Sequence, residues 1–544
     1  MPLRRGLPGG VRVNPSNAKR TRRASRSAYP VLIRRGRNSV TTTEGTVGDV
    51  TRLAPQDADF VYHEREHHIS NSTGIYLFDT TAETTSITQA EAIDWMRPRL
   101  GYSGVFTRRL RHVPFALDYP CWVPDPTLDL SKHVIVERVD GPGWDALRHH
   151  IARFSGKPLD LTRPPWQLHF LTDVTGIDGL PDRMTVAVLR CHHSSGDGLA
   201  ARDLALRIFG RAGDHPPVPR PTARWSTTAE FVRAVGRLPR QWRAFRRGLT
   251  ESGEGARRVA EQIRSGAIAP APPRRPATRF NTAITSDLTF DVVSFSPSDI
   301  RTVRSAVEGA TFNDVLLATI SGALAVYLAE KDETPPNSLA ALVPMSLRGT
   351  RPGVADHPDG NRANHLALMA VDLHTDIDDP IQRLRAIHTS VRAEKDRHRN
   401  PDVQAAASRI DTSPAWLLRL VIRLQNLRNR SDDTVEAVNT MVSNIPWTGE
   451  DLVLGNAPLV RSFGILGIID RVGLRHLIVS HHDDEIEISF CADAAMMPDT
   501  DRYKVLLTQS FRALVESADR AVTSDIAGRS SDLREVSRNR PIRP

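Results

Sequence analysis

The residues best suited to chemistry lie together between Cys191 and Gly198, in the run Cys-His-His-Ser-Ser-Gly-Asp-Gly. Histidine has an unperturbed pKa near neutrality, so His193 could accept a proton from a hydroxyl group at physiological pH. Asp197 follows four residues later, and a carboxylate in a turn can pair with a cation and hold the loop. Gly198 would permit a close approach that a side chain would block. The spacing therefore predicts a general base on a rigid loop that could take a proton from a hydroxyl group.

Regular elements should position this loop. Residues 183–193 form an apolar, β-branched run that predicts a strand. Ser194–Gly198 predicts a tight turn, and residues 199–209 have the apolar spacing of a helix that stops at Gly210. A strand that ends in a glycine turn projects its last side chains into a crevice.

Two other chemistries fit the same run. Cys191 and His193 share strand parity and could form a nucleophile pair, although side chains two apart on a strand rarely meet within hydrogen-bond distance. His192, His193 and Asp197 could ligate a metal, but adjacent histidines on a strand point to opposite faces. We therefore expect no metal site here. His481-His482-Asp483-Asp484 also looks metal-like, but it separates two predicted strands and is interpreted as a solvated hairpin turn.

Charge and cysteine content limit the function class. The net charge of the 544 residues is +9, but residues 1–43 contain 11 Lys or Arg and no acid; subtracting these 11 charges leaves −2 for the rest. A nucleic-acid partner is therefore not expected for the folded part.

Three cysteines without a CxxC pair favour reduced thiols and a cytoplasmic location, and the N-terminus shows no secretory signal.

Composition divides the chain into five segments. We predict a disordered basic tail over 1–48, a first half over 49–212, an Arg/Pro-rich linker over 213–283, a second half over 284–522 and a flexible tail over 523–544. In the second half, predicted helices cover 297–308, 312–330, 379–396 and 499–519, and predicted strands cover 286–294, 339–346, 438–444, 475–480 and 485–491. The apolar run 315–328 is too short and too interrupted for a membrane span, so it predicts a buried core helix.

The linker contains an amphipathic helix. Apolar residues recur at steps of four and three, and arginines cover the opposite face; the apolar positions are Phe231, Val235, Leu238, Trp242, Phe245 and Leu249. Pro239 should kink or split this helix. The apolar stripe either packs on the two halves or lies on a lipid interface, and the sequence leaves both open.

Several motifs together resemble one family. His192–Gly198 matches the HHxxxDG motif of the bacterial wax ester synthase/diacylglycerol acyltransferase family. Leu53–Phe60 (LAPQDADF) resembles its LSPxDxxF opening, Pro158–Trp166 (PLDLTRPPW) its PLDxxRPLW motif, and Asn313–Ala318 (NDVLLA) its NDVVLA motif. The motifs occur in the family's order, and the resemblance covers about residues 53–520.

The resemblance implies an α/β fold of two similar chloramphenicol acetyltransferase-like halves, each a mixed β-sheet flanked by helices, with an active-site tunnel between them. It implies that His193 is the general base, that His192 is accessory, that Asp197 orients the loop and that no acyl-enzyme forms. Asn313 and Asp314 would shape the site from the second half. Asp160 and Arg163 look structural, and we interpret them as a turn with an internal ion pair. Ser443 and Asn444 are candidate oxyanion donors.

By this resemblance the chain is an O-acyltransferase that uses acyl-CoA as co-substrate and binds no permanent cofactor. Its acceptor would be diacylglycerol or a long-chain alcohol, and attachment to a membrane or lipid-droplet surface would suit such substrates. Two alternatives stay open: a condensation-type enzyme of polyketide or peptide-lipid assembly, and a catalytically silent protein of lipid surfaces. The sequence indicates neither the acceptor, the acyl chain length nor the oligomeric state.

Overall fold

Two six-stranded mixed β-sheets form the framework of the chain. A computed structural model describes residues 50–196, 198–211, 215–218, 224–285, 287–346, 366–407, 409–428, 435–446, 452–480 and 485–538. All of them belong to one compact unit. The predicted α/β class with two sheet-containing halves is confirmed, and a tunnel between the halves stays a prediction.

The strands alternate with helices along most of the chain. Their bounds are β1 Thr51–Arg52, β2 Asn71–Asp79, β3 Arg108–Arg111, β4 Cys121–Pro124, β5 Val134–Arg138, β6 Trp166–Val174, β7 Met184–His192, β8 Arg275–Pro276, β9 Leu288–Phe295, β10 Ala340–Ser346, β11 Leu366–Asp372, β12 Val435–Glu436, β13 Thr440–Pro446, β14 Val453–Leu454, β15 Ala457–Leu466, β16 Leu474–Ser480 and β17 Ile486–Asp493. The strand predicted at 183–193 and the five predicted in the second half are confirmed to within a few residues.

The helices range from one turn to more than ten. They are α1 Pro55–His63, α2 Gln89–Met96, α3 Gly143–Ser155, α4 Gly198–Phe209, α5 Thr227–Arg264, α6 Pro297–Ser305, α7 Phe312–Ala329, α8 Pro380–Arg399, α9 Pro401–Ala407, α10 Arg409–Thr412, α11 Ala415–Arg428 and α12 Thr500–Arg538. The helix predicted to follow the turn at Ser194–Gly198 is α4, and the helices predicted in the second half are α6, α7, α8 and α12.

The second half contributes two strands, β14 and β15, to the sheet of the first half. The first has the order β14-β15-β2-β7-β6-β5 and the second the order β11-β10-β13-β16-β17-β9. β15 follows β13 in the chain, yet it pairs antiparallel with β2 of the first half, with Phe463 opposite Ile75. Sheet membership therefore crosses the division at 213–283, while the segment boundaries themselves stay predictions.

α7 is the central helix of the second half. It begins with a capping box in which Thr311 and Asp314 satisfy each other's backbone N–H groups. By length and composition it could cross a membrane, but 72% of it is buried inside the protein. It packs in the main hydrophobic core beside α6, α8 and α12. The expectation of a buried core helix over 315–328 is confirmed.

α5 runs through Pro239 as one helix, so of the two expected effects, a kink or a split, the split is wrong and the kink stays a prediction. A proline disrupts a helix because it removes one helical hydrogen bond and crowds the preceding turn. Pro239 lies on the exposed side of α5, where water can satisfy the carbonyl group that loses its partner. The helix is anchored elsewhere by small buried residues, including Gly248 and Gly255.

Candidate active site

The HHxxxDG run begins where β7 ends. His192 is the last residue of β7, and a single 3₁₀ turn follows over His193–Ser195. The backbone N–H of His193 donates to the carbonyl of Ser70, at 2.8 Å, and the hydroxyl of Ser195 donates to the carbonyl of His192, at 2.6 Å. These bonds fix the backbone around both histidines.

His192 is completely buried. The backbone N–H of Ser194 donates to Nδ1 of His192 at 3.1 Å, so Nδ1 is an acceptor and Nε2 carries a proton. Nε2 lies 3.3 Å from Oε2 of Glu64, which also accepts the backbone N–H of Ser70 at 2.8 Å. Glu64 therefore contacts both His192 and Ser70, the residue whose carbonyl accepts from the backbone N–H of His193.

His193 lies against α1. Its ring stacks on Phe60, with centroids 5.3 Å apart and planes 21° apart. Burial, followed by the charges of Arg475 and then His192, lowers the pKa of His193 to about 3. At neutral pH the imidazole is therefore uncharged and keeps a lone pair that can accept a proton.

The second half contributes Arg475 to this region. Arg475 pairs with Met441 across β16 and β13, and its guanidinium donates to the Met441 sulfur and to the Gly467 carbonyl. Burial lowers the pKa of Arg475 to about 10, so the group stays charged at neutral pH. It therefore places a positive charge within electrostatic range of His193.

Strand register separates the two oxyanion candidates. Ser443 pairs with Leu477, whose side chain belongs to the core of the first half, on the same face as Arg475. Asn444 pairs with Ile478, which belongs to the core on the other face of the sheet. Ser443 therefore faces the first half, and Asn444 faces away from it.

Asp197 lies outside the described residues, so its expected role in orienting the loop stays a prediction. Its neighbour Gly198 is described, and a Cβ at Gly198 would lie 2.5 Å from Cδ1 of Ile445. Arg202 of α4 also donates to the carbonyl of Pro446, at 2.8 Å. The start of α4 therefore lies directly against the end of β13, as a glycine chosen for close approach would require.

The remaining predicted site residues occupy structural positions. Asp160 accepts the backbone N–H and the hydroxyl of Thr162, and lies 3.5 Å from Nε of Arg163, with both charged groups half-exposed. These contacts form a turn with an internal ion pair, and the structural role of both residues stays a prediction. A buried Asp314 caps α7 and lies 2.9 Å from Nδ1 of His388, while Asn313 is half-buried. These contacts lie within the second half, so a site-shaping role for Asn313 and Asp314 stays a prediction.

The alternative chemistries receive no support from the geometry. Burial raises the pKa of Cys191 to about 12, so its sulfur stays protonated at neutral pH and is a poor nucleophile. Across the described ranges, no group of three or more His, Cys, Asp or Glu residues could hold a metal ion. His481–Asp484 lie outside those ranges, between β16 and β17, which pair antiparallel.

A cavity of about 460 Å³ adjoins the loop on the side of the first half. Its wall combines the loop, α4 and the 3₁₀ segment after α2. The lining includes Cys191, Ser195, Gly196, Ala200, Leu204, Tyr102, Val105, Arg108 and Trp122. The volume lies within the range of about 300–1,000 Å³ that is typical of small-molecule sites.

Sequence patterns did not identify three residues near the histidine pair, namely Phe60, Glu64 and Arg475. Phe60 lies inside the matched LAPQDADF segment, but nothing in that segment indicates a stack on His193. Glu64 and Arg475 are ordinary charged residues in the sequence, and only the fold brings them to the histidine pair.

Comparison with known proteins agrees with this geometry. A family model described as the wax ester synthase/diacylglycerol acyltransferase catalytic domain matches residues 53–316, and one described as the WS/DGAT C-terminal domain matches residues 362–515. A Mycobacterium tuberculosis protein provisionally named diacylglycerol O-acyltransferase is 26% identical over 464 residues, or 82% of this chain and 93% of the relative. A second protein of that organism with the same provisional name is 27% identical over 448 residues, or 80% of this chain and 89% of the relative.

Two solved structures have a similar fold. The wax ester synthase/diacylglycerol acyltransferase from Marinobacter aquaeolei VT8 is 23% identical with a TM-score of 0.58, over 86% of this chain and 100% of that chain. The first condensation domain of the calcium-dependent antibiotic synthetase is 12% identical with a TM-score of 0.51, over 86% of this chain and 96% of that chain. At these identities the likeness concerns the fold alone.

Proposed function

The chain belongs to the wax ester synthase/diacylglycerol acyltransferase family, and from that premise we propose that it transfers a long-chain acyl group from acyl-CoA to an alcohol with His193 as general base. The acceptor is diacylglycerol, which gives triacylglycerol, or a fatty alcohol, which gives a wax ester. The reaction needs no resident cofactor or metal, and the enzyme acts in the cytoplasm.

One observation carries the assignment of the base. His193 is held at a strand end in its neutral form, while its neighbour His192 has both ring nitrogens engaged by Ser194 and Glu64. Nδ1 of His192 can take a proton only if the Ser194 N–H is displaced, whereas the ring of His193 is half-buried and stacks on Phe60 of α1 at the end of the strand. The two histidines therefore have different roles.

The proposed reaction is a direct transfer. His193 accepts the hydroxyl proton of the alcohol as its oxygen attacks the thioester carbonyl carbon. The tetrahedral intermediate collapses with cleavage of the C–S bond, and the departing sulfur of CoA takes up the proton from the imidazolium. Ester and free thiol are the products, and the enzyme returns to its starting state without an acyl-enzyme.

Residues of the second half stabilise the intermediate in this proposal. Ser443 lies on the face of β13 that points to the first half, so its hydroxyl is the better candidate for a donor to the oxyanion than Asn444. Arg475, on the same face, supplies positive charge. That charge favours an oxyanion.

The cavity beside Ser195 and Gly196 is the proposed place for one substrate chain. Its wall carries apolar side chains, including Val105 and Leu204, next to the loop that holds the base. A chain lying there would leave the thioester or hydroxyl end close to the histidine pair.

Thiol release tests the proposal. Purified protein is mixed with palmitoyl-CoA and either diolein or hexadecanol, and free thiol is followed with the matching ester product. We expect alcohol-dependent release that His193→Ala abolishes and Asn444→Ala leaves in place. No release with any alcohol, or full activity of His193→Ala, would refute the mechanism. Release only from a carrier-protein thioester would instead favour the condensation-type alternative.

A further inference from the structure

The large apolar side chains of α5 are all half-buried or exposed. Its buried residues are Glu230, Ala234, Gly248, Ser252 and Gly255, with Gly248 lying against Thr412. In the apolar stripe of the helix, Val235, Trp242 and Leu249 are exposed, while Phe231, Leu238 and Phe245 are half-buried. Packing on the protein therefore covers only part of this stripe.

α11 presents a second exposed apolar face. Ala415, Leu418 and Ile422 are buried against the protein. Leu420, Val421 and Leu424 lie on the opposite side of the helix and are exposed. The second apolar face of α11 has no partner among the residues that the structure describes.

These two faces form one surface. The rings of Trp242 on α5 and Trp416 on α11 lie 6.2 Å apart, and Phe115 lies 6.2 Å from Phe231 on α5. Phe115 is 82% exposed and has a φ of 56°. A left-handed conformation is costly for a bulky residue. We call the combined surface of Phe115, α5 and α11 the apolar face.

The two helices of the apolar face are rich in arginine. The segment 227–250 contains six arginines and one acid, and 415–428 contains three arginines and no acid. Arg237 is paired with Asp118, while Arg240, Arg243 and Arg246 are exposed on α5. Exposed apolar and aromatic residues beside a dense positive charge are complementary to a lipid surface with anionic headgroups.

The apolar face also lies close to the proposed base. The buried side of α11 packs in a small core with Ala58 and Val61 of α1. The same helix α1 carries Phe60, which stacks on His193. One helix therefore separates the apolar face from the general base.

We propose that the apolar face of Phe115, α5 and α11 docks the enzyme on a lipid surface that contains anionic headgroups. This inference rests on the proposed function, since docking would bring the site to the phase that holds diacylglycerol or fatty alcohol. The exposed aliphatic residues enter the interface, and the arginines contact the phosphate groups.

Vesicle flotation of the full chain tests the docking without any need for activity. The test variant is Val235→Ser/Leu420→Ser/Leu424→Ser. Its matched control, Val505→Ser/Val326→Ser/Leu368→Ser, changes aliphatic side chains of similar size and nearly equal exposure: 44% and 44%, 46% and 45%, 52% and 52% respectively. Both variants are first compared with the wild-type chain by thermal unfolding.

We expect the wild-type chain and the control to float with vesicles of phosphatidylcholine and phosphatidylglycerol, and the test variant to lose at least about tenfold in partitioning, because three half-exposed aliphatic side chains no longer enter the interface. Binding should also weaken with salt and on phosphatidylcholine alone. Equal flotation of both variants would overturn the proposal. So would a change of oligomeric state in the test variant alone, by light scattering, because the face would then bind a second copy. A failure of the proposed function would instead appear as flotation without thiol release.

Discussion

Replacing each histidine of the pair separately should give two different phenotypes, one in catalysis and one in stability. His193→Ala removes the proposed base but leaves the backbone bond to Ser70 in place. His192→Ala removes a fully buried ring that accepts from the Ser194 N–H and faces Glu64. We expect the first substitution to abolish catalysis in a folded protein and the second to destabilise the fold.

The contacts set the magnitudes. His192→Ala leaves a buried backbone N–H without its acceptor, at about 1–3 kcal/mol, and removes a hydrogen bond to a carboxylate, at about 1.5–3 kcal/mol. The sum is about 2.5–6 kcal/mol, a large share of a stability of about 5–15 kcal/mol. His193→Ala loses the stack on Phe60, which should lower the free energy of unfolding by only about 0.5–1.5 kcal/mol. The same substitution should lower kcat by about 10²–10⁴-fold, because the proposed base is removed.

Urea unfolding followed by tryptophan fluorescence measures the first quantity, and thiol release from palmitoyl-CoA measures the second. His192→Asn serves as an intermediate case, because its side-chain oxygen can still accept from Ser194 but the shorter side chain cannot reach Glu64. Its loss of stability should lie between those of the wild-type chain and His192→Ala.

The reasoning would fail if the phenotypes were reversed. A His192→Ala protein as stable as the wild-type chain but inactive would make His192 the base. A His193→Ala protein that unfolds at the same low urea concentration as His192→Ala would make both residues structural. Either result would remove the division of roles that follows from the hydrogen bonds.

Three further predictions concern the same site. Burial lowers the pKa of His193 to about 3, so the ring stays neutral at pH values well below the ordinary histidine pKa of 6.5. The pH profile of kcat/KM should therefore show no loss of activity near pH 6.5. Activity should fall only toward pH 3, or at the pH where the protein unfolds. Ser443→Ala should lower kcat by about 10²-fold with little change in KM, and Asn444→Ala should lower it much less, as thiol-release kinetics would show; equal losses would contradict the register argument. Gly198→Ala should lower both stability and activity because its Cβ would meet Ile445 at 2.5 Å, and the added Ile445→Ala should restore part of both in the same assays, whereas no rescue would place the cause elsewhere.

Local sequence signals account for much of the fold. The apolar run 183–193, the glycine turn and the helix after it are all local patterns, and each appears as β7, the 3₁₀ turn and α4. α7 was predictable for the same reason, since an apolar helix with a capping box needs no distant partner to be recognised. Proline chemistry misled at Pro239, because the effect of a lost hydrogen bond depends on whether that side of the helix meets water.

Tertiary contacts account for what the sequence did not reveal. β15 pairs with β2 across almost 400 residues, and no local pattern indicates which sheet a strand will join. Glu64 and Arg475 reach the histidine pair only through such long-range packing. The spacing of the motif could therefore indicate the base, whereas the charges that tune it required the fold.

The pairing of β15 with β2 links the proposed base to both halves. β2 lies between β7, which ends at His192, and β15, which comes from the second half. The carbonyl of Ser70, just before β2, accepts from the backbone N–H of His193. A first half without β15 would leave one edge of β2 unpaired and would also lack Ser443 and Arg475. The HHxxxDG run is thus complete in the first half of the sequence, but the proposed site around His193 forms only after a very distant strand pairing, so catalytic competence should be gained late in folding.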